Sequence, residues 1–325
     1  DALPIFVLSC QSASGAPAAK LVEKTDTAKL AQANGLKPLT KDERDSPVEE
    51  ETKTPWMTET INDLAGQITT NINSAAAVNP INLLSLVLLS TNKHAMDEKA
   101  LIRQLELYRQ LLIAVPYSSR IVVTPLNGTE IIAYGEKLKV LYRIKHPLGD
   151  LIGINDEQAM LLTYFRNNVM HLFMLPSLIA CLMQHNSELY RNQVNQLVKT
   201  IYPFMRSELF LPWCDESVTE VIQQWQEALI ANDLLIARDN EQLVSPSPAS
   251  SSHAELNVLA QGVRQSLQRY FITVSLLTQQ GSGKISRKQL EELCSLLAQR
   301  ISILHEFSAP EYFDKAVFRN FIETL

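Results

Sequence analysis

The sequence predicts a mainly α-helical protein, and three observations support this fold class. Apolar residues recur at spacings of three and four through most of the chain after residue 54, and helix caps and breakers separate these stretches. Only 10 glycines occur in 325 residues, which is few for a turn-rich β protein. Hydrophobic residues make up 46% of the chain, so a sizeable core can form.

Residues 1–53 differ in composition from the rest of the chain. They are rich in Ala, Lys, Thr, Ser, Pro and Glu and contain few aromatic residues. Such a composition buries too little apolar surface to offset the entropy lost on ordering. We therefore predict a disordered linker over residues 1–53, with room for one short helix at 18–34. Residues 54–325 form the expected helical domain, and a subdivision near residue 186 stays open.

The two ends of the chain suggest that it is a fragment. It begins with Asp1 instead of Met, and its first ten residues lack the basic region that opens a signal peptide. It stops at Leu325 within a helical pattern. We expect the natural N-terminus to lie upstream of Asp1.

Caps and apolar spacing predict four helices and one strand in the first part of the domain. Thr58, Pro80 and Asp97 stand where helices begin, and Pro116 ends the third helix. The expected helices span residues 58–72, 81–89, 98–115 and 130–141. A short strand is expected at 148–154.

The second part of the domain is predicted to hold six helices and a β-hairpin. The expected helices span residues 157–184, 188–209, 217–232, 254–279, 287–301 and 310–321. The hairpin pairs 234–238 with 242–245 across a polar turn. Helix, helix and hairpin in this order are typical of a winged-helix unit. The buried face of the helix after Ser286 is expected to comprise Leu290, Leu293, Leu297 and Ile301. No internal repeat is visible in the sequence.

The most apolar stretch of the chain, residues 169–183, carries no formal charge and is interrupted only by Pro176. It must be buried, because exposed it would form a large hydrophobic patch. About 20 apolar residues are needed to span a bilayer, and this stretch is shorter. Three locations stay open: the protein core, the surface of a partner protein, and the surface of a membrane.

Charge and cysteine content exclude several classes of protein. The net charge of -6 argues against a nucleic-acid-binding protein, which would present a basic surface. The four cysteines form no CxxC pair and have no histidine at metal-ligand spacing, so no metal site is predicted. Isolated cysteines suit a reducing compartment, which favours the cytoplasm.

Catalytic motifs are missing from the sequence. None of the six histidines is followed five positions later by Asp, the spacing that a His-x4-Asp acyltransferase pair requires. There is no GxSxG nucleophile elbow, and the glycines around Lys284 do not form a phosphate-binding loop. We assign no catalytic residue and no cofactor. His171 lies in an apolar helix and is interpreted as a core histidine.

Arg166, Asn167 and Asn168 are the candidate substrate-binding residues. A cation with adjacent amides at the edge of an apolar helix could bind a phosphate or a carboxylate. The alternative is a structural arginine that bonds helix-end carbonyls or an internal acid. No second basic residue stands nearby in the sequence.

Four segments resemble the C-terminal region of bacterial glycerol-3-phosphate acyltransferases. They are TYFRNNVMHLFMLPSLIA (residues 163–180), IYPFMRSELFLPW (201–213), SLQRYF (266–271) and AQRISILHEFSAPEYFDKAVFRNFIETL (298–325). The resemblance covers residues 55–325. Several long segments in the same order are far more specific than a single short motif.

The resemblance implies an enzyme that transfers a fatty acyl group from acyl-CoA or acyl-carrier protein to the 1-hydroxyl of glycerol 3-phosphate. The product is lysophosphatidic acid, and the implied location is the cytoplasmic face of the bacterial inner membrane. The family's His-x4-Asp motif belongs to an upstream acyltransferase domain that this sequence lacks. We therefore expect a helical C-terminal domain, inactive alone, whose partners are that missing domain and the membrane surface. The alternative is a non-enzymatic helical module that binds a partner protein.

Overall fold

A computed structural model describes residues 55–281, 283–305 and 310–325. Within this part of the chain it contains ten α-helices and eight short strands, which confirms the mainly α fold. The linker predicted for residues 1–53 and the helix at 18–34 lie outside the described residues. The chain divides into two compact units, Asp1–Thr69 and Thr70–Leu325.

Helix α1 (Pro55–Asn73) supplies the described residues of the first unit and ends in the second. It confirms the helix predicted at 58–72. The helix begins three residues earlier than expected, at Pro55, because proline fits the first turn of a helix. Its apolar residues Ile61 and Leu64 are about half exposed.

Nine further helices within the described residues form most of the second unit. They are α2 (Pro80–Leu88), α3 (Glu98–Ala114), α4 (Gly128–Lys137), α5 (Asp156–His185), α6 (Arg191–Leu209), α7 (Val218–Ala231), α8 (Ser251–Gln280), α9 (Arg287–His305) and α10 (Lys315–Thr324). Every predicted helix of this part is found, most with ends within four residues. Two boundaries were wrong: residues 188–190 are a strand, and Pro310–Phe313 form a 3-10 helix ahead of α10.

Side-chain caps explain why two of the helices begin where they do. The Asp97 carboxylate accepts a hydrogen bond from the Ala100 backbone N–H at 3.1 Å, which confirms Asp97 as the cap of α3. Asn127 and Glu130 form a reciprocal capping box at the start of α4. Both caps satisfy backbone N–H groups that have no partner within the helix.

The eight strands form three small sheets. The strands are β1 (Ala77–Val78), β2 (Ala95–Asp97), β3 (Val122–Val123), β4 (Tyr142–Ile144), β5 (Leu151–Gly153), β6 (Glu188–Tyr190), β7 (Ile236–Arg238) and β8 (Gln242–Val244). β1 pairs with β3 in parallel, and the other two sheets are antiparallel, with the orders β2-β5-β4 and β6-β8-β7. The pairing of β7 with β8 confirms the predicted hairpin. The winged-helix assignment itself stays a prediction.

The structure contains a repeat of element order that the sequence did not show. The order helix, strand, helix, helix, strand, strand occurs as α2-β2-α3-α4-β4-β5 and again as α5-β6-α6-α7-β7-β8, with β3 as an additional strand in the first copy. In both copies the last strand lies between the other two. Topology can repeat without sequence similarity, because it requires only a matching pattern of burial.

The apolar run at 169–183 lies in the core of the second unit. Twelve of its residues are buried: Val169, His171, Leu172, Phe173, Met174, Leu175, Pro176, Ser177, Leu178, Ile179, Ala180 and Met183. Helix α5, which carries the run, packs against α2, α6, α7 and α8. The partner-protein and membrane-surface locations considered for this run are therefore wrong. The run is shielded by helices of its own chain.

A smaller core lies between α8, α9 and α10. Its α9 residues are Leu290, Cys294 and Ala298, which follow one another at a spacing of four. The predicted face was partly wrong, because Leu293 is exposed. Leu293 lies outside the row formed by Leu290, Cys294 and Ala298, the α9 residues that are buried.

Candidate functional site

The three candidate substrate-binding residues lie in the first half of α5. The Arg166 guanidinium donates through Nε and Nη2 to the Asn167 side-chain oxygen, at 3.2 and 3.1 Å. Both residues are half-buried, and Asn168 is exposed. The buried Asn82 of α2 donates to the Phe165 carbonyl at 2.7 Å and fixes this part of α5. The structure brings Arg166 and Asn167 together, while their role in anion binding stays a prediction.

His171 is a core histidine, as interpreted from the sequence. Its Nε2 lies 3.0 Å from the Asn73 backbone carbonyl, which can only accept, so Nε2 carries the proton. Its ring contacts Tyr117 edge to face, and Tyr117 in turn contacts Trp213. Burial lowers the pKa of His171 to about 4, so the imidazole is neutral at pH 7.

The buried His171 should make the stability of the domain depend on pH. Its pKa is about 4 when folded and about 6.5 when unfolded, so the unfolded chain binds more protons between these values. The contribution is fully present above pH 6.5, and about 3 kcal/mol is lost as the pH falls from 6.5 to 4. Urea unfolding at several pH values measures this loss. The variant His171→Gln should show a shallower decline, and an equal decline would contradict the assignment.

A buried ion pair that sequence reasoning missed joins α6 to α8. Glu208 and Arg269 are both less than a tenth exposed. One oxygen of the Glu208 carboxylate accepts from Arg269 and, at 3.1 Å, from the Ser266 hydroxyl. The other accepts from the Tyr270 hydroxyl at 2.6 Å, and burial together with this carboxylate raises the pKa of Tyr270. Ser266, Arg269 and Tyr270 share one helix face, which was the only signal available in the sequence.

Aromatic rings extend this cluster to the last helix. The Tyr270 ring stacks on Phe321 of α10 with centroids 4.3 Å apart. Phe204 of α6 packs against both rings. Glu208 and Phe204 belong to the resembling segment 201–213, which also contains Trp213 near His171. Three of the four segments that carry the family resemblance therefore meet around Tyr270. The fourth, residues 163–180, is linked to them through Tyr117, whose ring contacts both His171 and Trp213.

A cavity of about 520 Å³ lies between the end of α5 and the middle of α8. Cys181, His185, Arg264 and the exposed Phe271 line it. His185 Nδ1 bonds the Cys181 backbone carbonyl at 2.9 Å, and burial raises the pKa of the Cys181 thiol. The thiol is therefore protonated at neutral pH, and the pair does not form an activated nucleophile.

The buried ionisable groups His171, Glu208 and Arg269 all bond to other groups of the core. Among residues 55–281, 283–305 and 310–325, no group of three or more His, Cys, Asp or Glu side chains is placed to hold a metal ion. In the same ranges, no helix combines the length and the apolar character that crossing a bilayer requires.

Comparison with known proteins identifies the family. The family model described as the glycerol-3-phosphate acyltransferase C-terminal region matches residues 31–325. A glycerol-3-phosphate acyltransferase of Xylella fastidiosa (strain M12) is 44% identical over 280 residues, which are 85% of this chain and 32% of the relative. One of Pseudomonas aeruginosa (strain LESB58) is 41% identical over 284 residues, with coverage of 87% and 34%.

The chain spans about a third of the length of the curated relatives that it matches. The match covers more than half of the chain, and it begins upstream of the first described helix. The resemblance inferred from the four segments is thus confirmed. The chain belongs to the glycerol-3-phosphate acyltransferase C-terminal region family.

Proposed function

We propose that this chain is the helical C-terminal region of a glycerol-3-phosphate 1-O-acyltransferase of phospholipid biosynthesis. The whole enzyme transfers a fatty acyl group from acyl-CoA or acyl-carrier protein to glycerol 3-phosphate and releases lysophosphatidic acid. The observation that carries the proposal is the family match over residues 31–325, together with relatives that bear this enzyme's name.

In this proposal the region supports an acyltransferase domain that lies outside this chain. The sequence contains no His-x4-Asp pair, and His171 is locked in the core as a neutral imidazole. The buried Glu208 carboxylate accepts hydrogen bonds from Arg269 and from the Tyr270 hydroxyl. The described residues therefore offer packing surfaces instead of a reacting centre, and we propose that the chain is inactive alone. Its proposed location is the cytoplasmic face of the bacterial inner membrane.

Reconstitution of acyl transfer tests this function. The chain and the separately produced acyltransferase domain of the same parent are assayed for transfer from acyl-CoA to labelled glycerol 3-phosphate in detergent micelles. We expect no turnover by the chain alone, and at least ten-fold more turnover by the mixture than by the acyltransferase domain alone. Turnover by the isolated chain, or no gain in the mixture, would contradict the proposal.

One observation favours a second function, a non-enzymatic module that binds a partner protein. Leu293, Leu296, Ile303 and Leu304 of α9 are exposed, and their spacing places them along one side of the helix. A stripe of this kind often marks an interaction surface. The reconstitution assay separates the two functions, because a module of this second kind would leave acyl transfer unchanged.

A further inference from the structure

The turn between β4 and β5, residues 145–150, presents an unusually exposed apolar side chain. Leu148 is 91% exposed, the highest value for a large apolar residue in the part of the chain that the structure describes. Ile144 at the end of β4 and Leu138 after α4 are about half exposed. We call residues 145–150 the β4–β5 tip. Single exposed apolar residues are common, but three within eleven positions, one of them almost fully exposed, mark this turn as a candidate contact surface.

Local contacts hold the β4–β5 tip in shape. The His146 ring accepts from the Leu148 backbone N–H at 3.2 Å, and the Gly149 N–H donates to the His146 carbonyl at 3.0 Å. Gly149 has a φ of +130°, and a Cβ there would lie 2.8 Å from the Asp97 carboxylate, so glycine is required. These contacts hold Leu148 at the apex of the turn. The backbone therefore does not have to change conformation for Leu148 to contact a surface.

The exposed charges around the tip are basic in a chain whose net charge is -6. Four basic residues lie in this part of the chain, Lys137, Lys139, Arg143 and Lys145, and four acidic residues lie close to the tip or to Arg143, namely Asp97, Glu98, Glu136 and Asp150. Arg143 donates to Glu136, Asp150 and also Glu98 at 2.8 to 3.0 Å, and its hydrogen bond lowers the pKa of Asp150. The carboxylates are thus drawn into one cluster around Arg143, while the three lysines are exposed.

The second copy of the repeated element order provides an internal comparison. Its turn between β7 and β8 carries Asp239 and Glu241, and Glu241 is exposed and paired with Arg191. No large apolar residue occupies that turn. An apolar and basic tip is therefore not a requirement of this topology, since the equivalent turn is acidic.

We propose that the β4–β5 tip docks this region on an anionic phospholipid surface. This deepens the function proposed above and rests on it, because it names the residues that bring the enzyme to its lipid product. Exposed lysines are attracted to anionic headgroups, and a leucine at the apex inserts at the boundary between headgroups and acyl chains. A nucleic acid fits less well, because it offers no apolar phase for Leu148 to enter and would leave this side chain in water.

Vesicle cosedimentation of the full chain tests the docking surface. Vesicles of phosphatidylcholine with 30% phosphatidylglycerol are compared with vesicles of phosphatidylcholine alone, at low and high salt. We expect Leu148→Ser to weaken binding to the anionic vesicles about ten-fold, because the inserted side chain is lost. Each of Lys137→Gln, Lys139→Gln and Lys145→Gln should weaken it about five-fold and reduce its salt dependence.

A matched control is Ile236→Ser, an exposed apolar residue on the second hairpin, which should bind as the unmodified chain does. Equal binding of Leu148→Ser and Ile236→Ser, or equal binding to both kinds of vesicle, would overturn the proposal. Tighter binding to duplex DNA than to vesicles, unaffected by Leu148→Ser, would also overturn it. Acyl transfer in detergent separates the two proposals, because Leu148→Ser should leave it unchanged. Unchanged docking of Leu148→Ser with transfer retained refutes only the docking surface, whereas failure of the reconstitution assay refutes the function proposed above.

Discussion

Replacing Glu208 with alanine is expected to lower the free energy of unfolding by about 3–5 kcal/mol. Arg269 is 4% exposed, so the substitution would leave its guanidinium buried without its carboxylate partner. The Tyr270 and Ser266 hydroxyls would lose the same acceptor. Urea unfolding followed by circular dichroism measures the change. We expect α10 to loosen as well, because its Phe321 packs on Tyr270.

Two further variants show whether the loss comes from the buried charge. Glu208→Leu combined with Arg269→Met should cost less than Glu208→Ala alone, because both charges of the buried pair are removed together. Glu227→Ala removes a partner of Arg191 that is mostly exposed, and it should change stability little. Equal losses for Glu208→Ala and Glu227→Ala would show that burial does not matter here.

Replacing Leu178 with aspartate is expected to cost more than about 4 kcal/mol and to prevent folding at 37 °C. Leu178 is fully buried in the apolar run of α5. A carboxylate there would have to be desolvated or protonated, because the substitution introduces no cation or hydrogen-bond donor to pair with it. Yield of folded protein and thermal melting measure the effect.

Leu161→Asp is the matched control on the same helix. Leu161 is 49% exposed, so its substitution should change stability by about 0.5 kcal/mol or less. If the run were instead a docking surface, Leu178→Asp would fold normally and lose only binding. Similar stability of the two variants would therefore contradict the core location of the run.

The helices were predictable because their signals are local. Asp97 caps α3 by bonding a backbone N–H three residues away, and apolar spacing of three and four marks each buried face. The strands β1, β2, β3, β4 and β6 were missed, because two or three residues are too few to show an alternating pattern. β5 lies within the strand predicted at 148–154, which neighbouring glycines marked, and the polar turn between β7 and β8 marked the hairpin.

The candidate site was less predictable than the fold. Arg166 and Asn167 were singled out and do lie in contact. Glu208 and Arg269 were not predicted to form a pair. In the sequence, an acid on one helix and a base on another look the same whether both are exposed or both are buried together. Leu148 was read as part of a strand, and its exposure follows from the turn that precedes β5.

The sequence by itself determined which segments are helical, that a long apolar run must be buried, and which family the chain resembles. These conclusions rest on periodicity, caps and composition, which act within a few residues. Only the tertiary structure decided what buries the run and which charges meet. Glu208 and Arg269 are 61 positions apart, and His171 and Asn73 are 98 positions apart. Such contacts depend on how the helices pack against one another, and packing depends on the shapes of all neighbouring side chains at once.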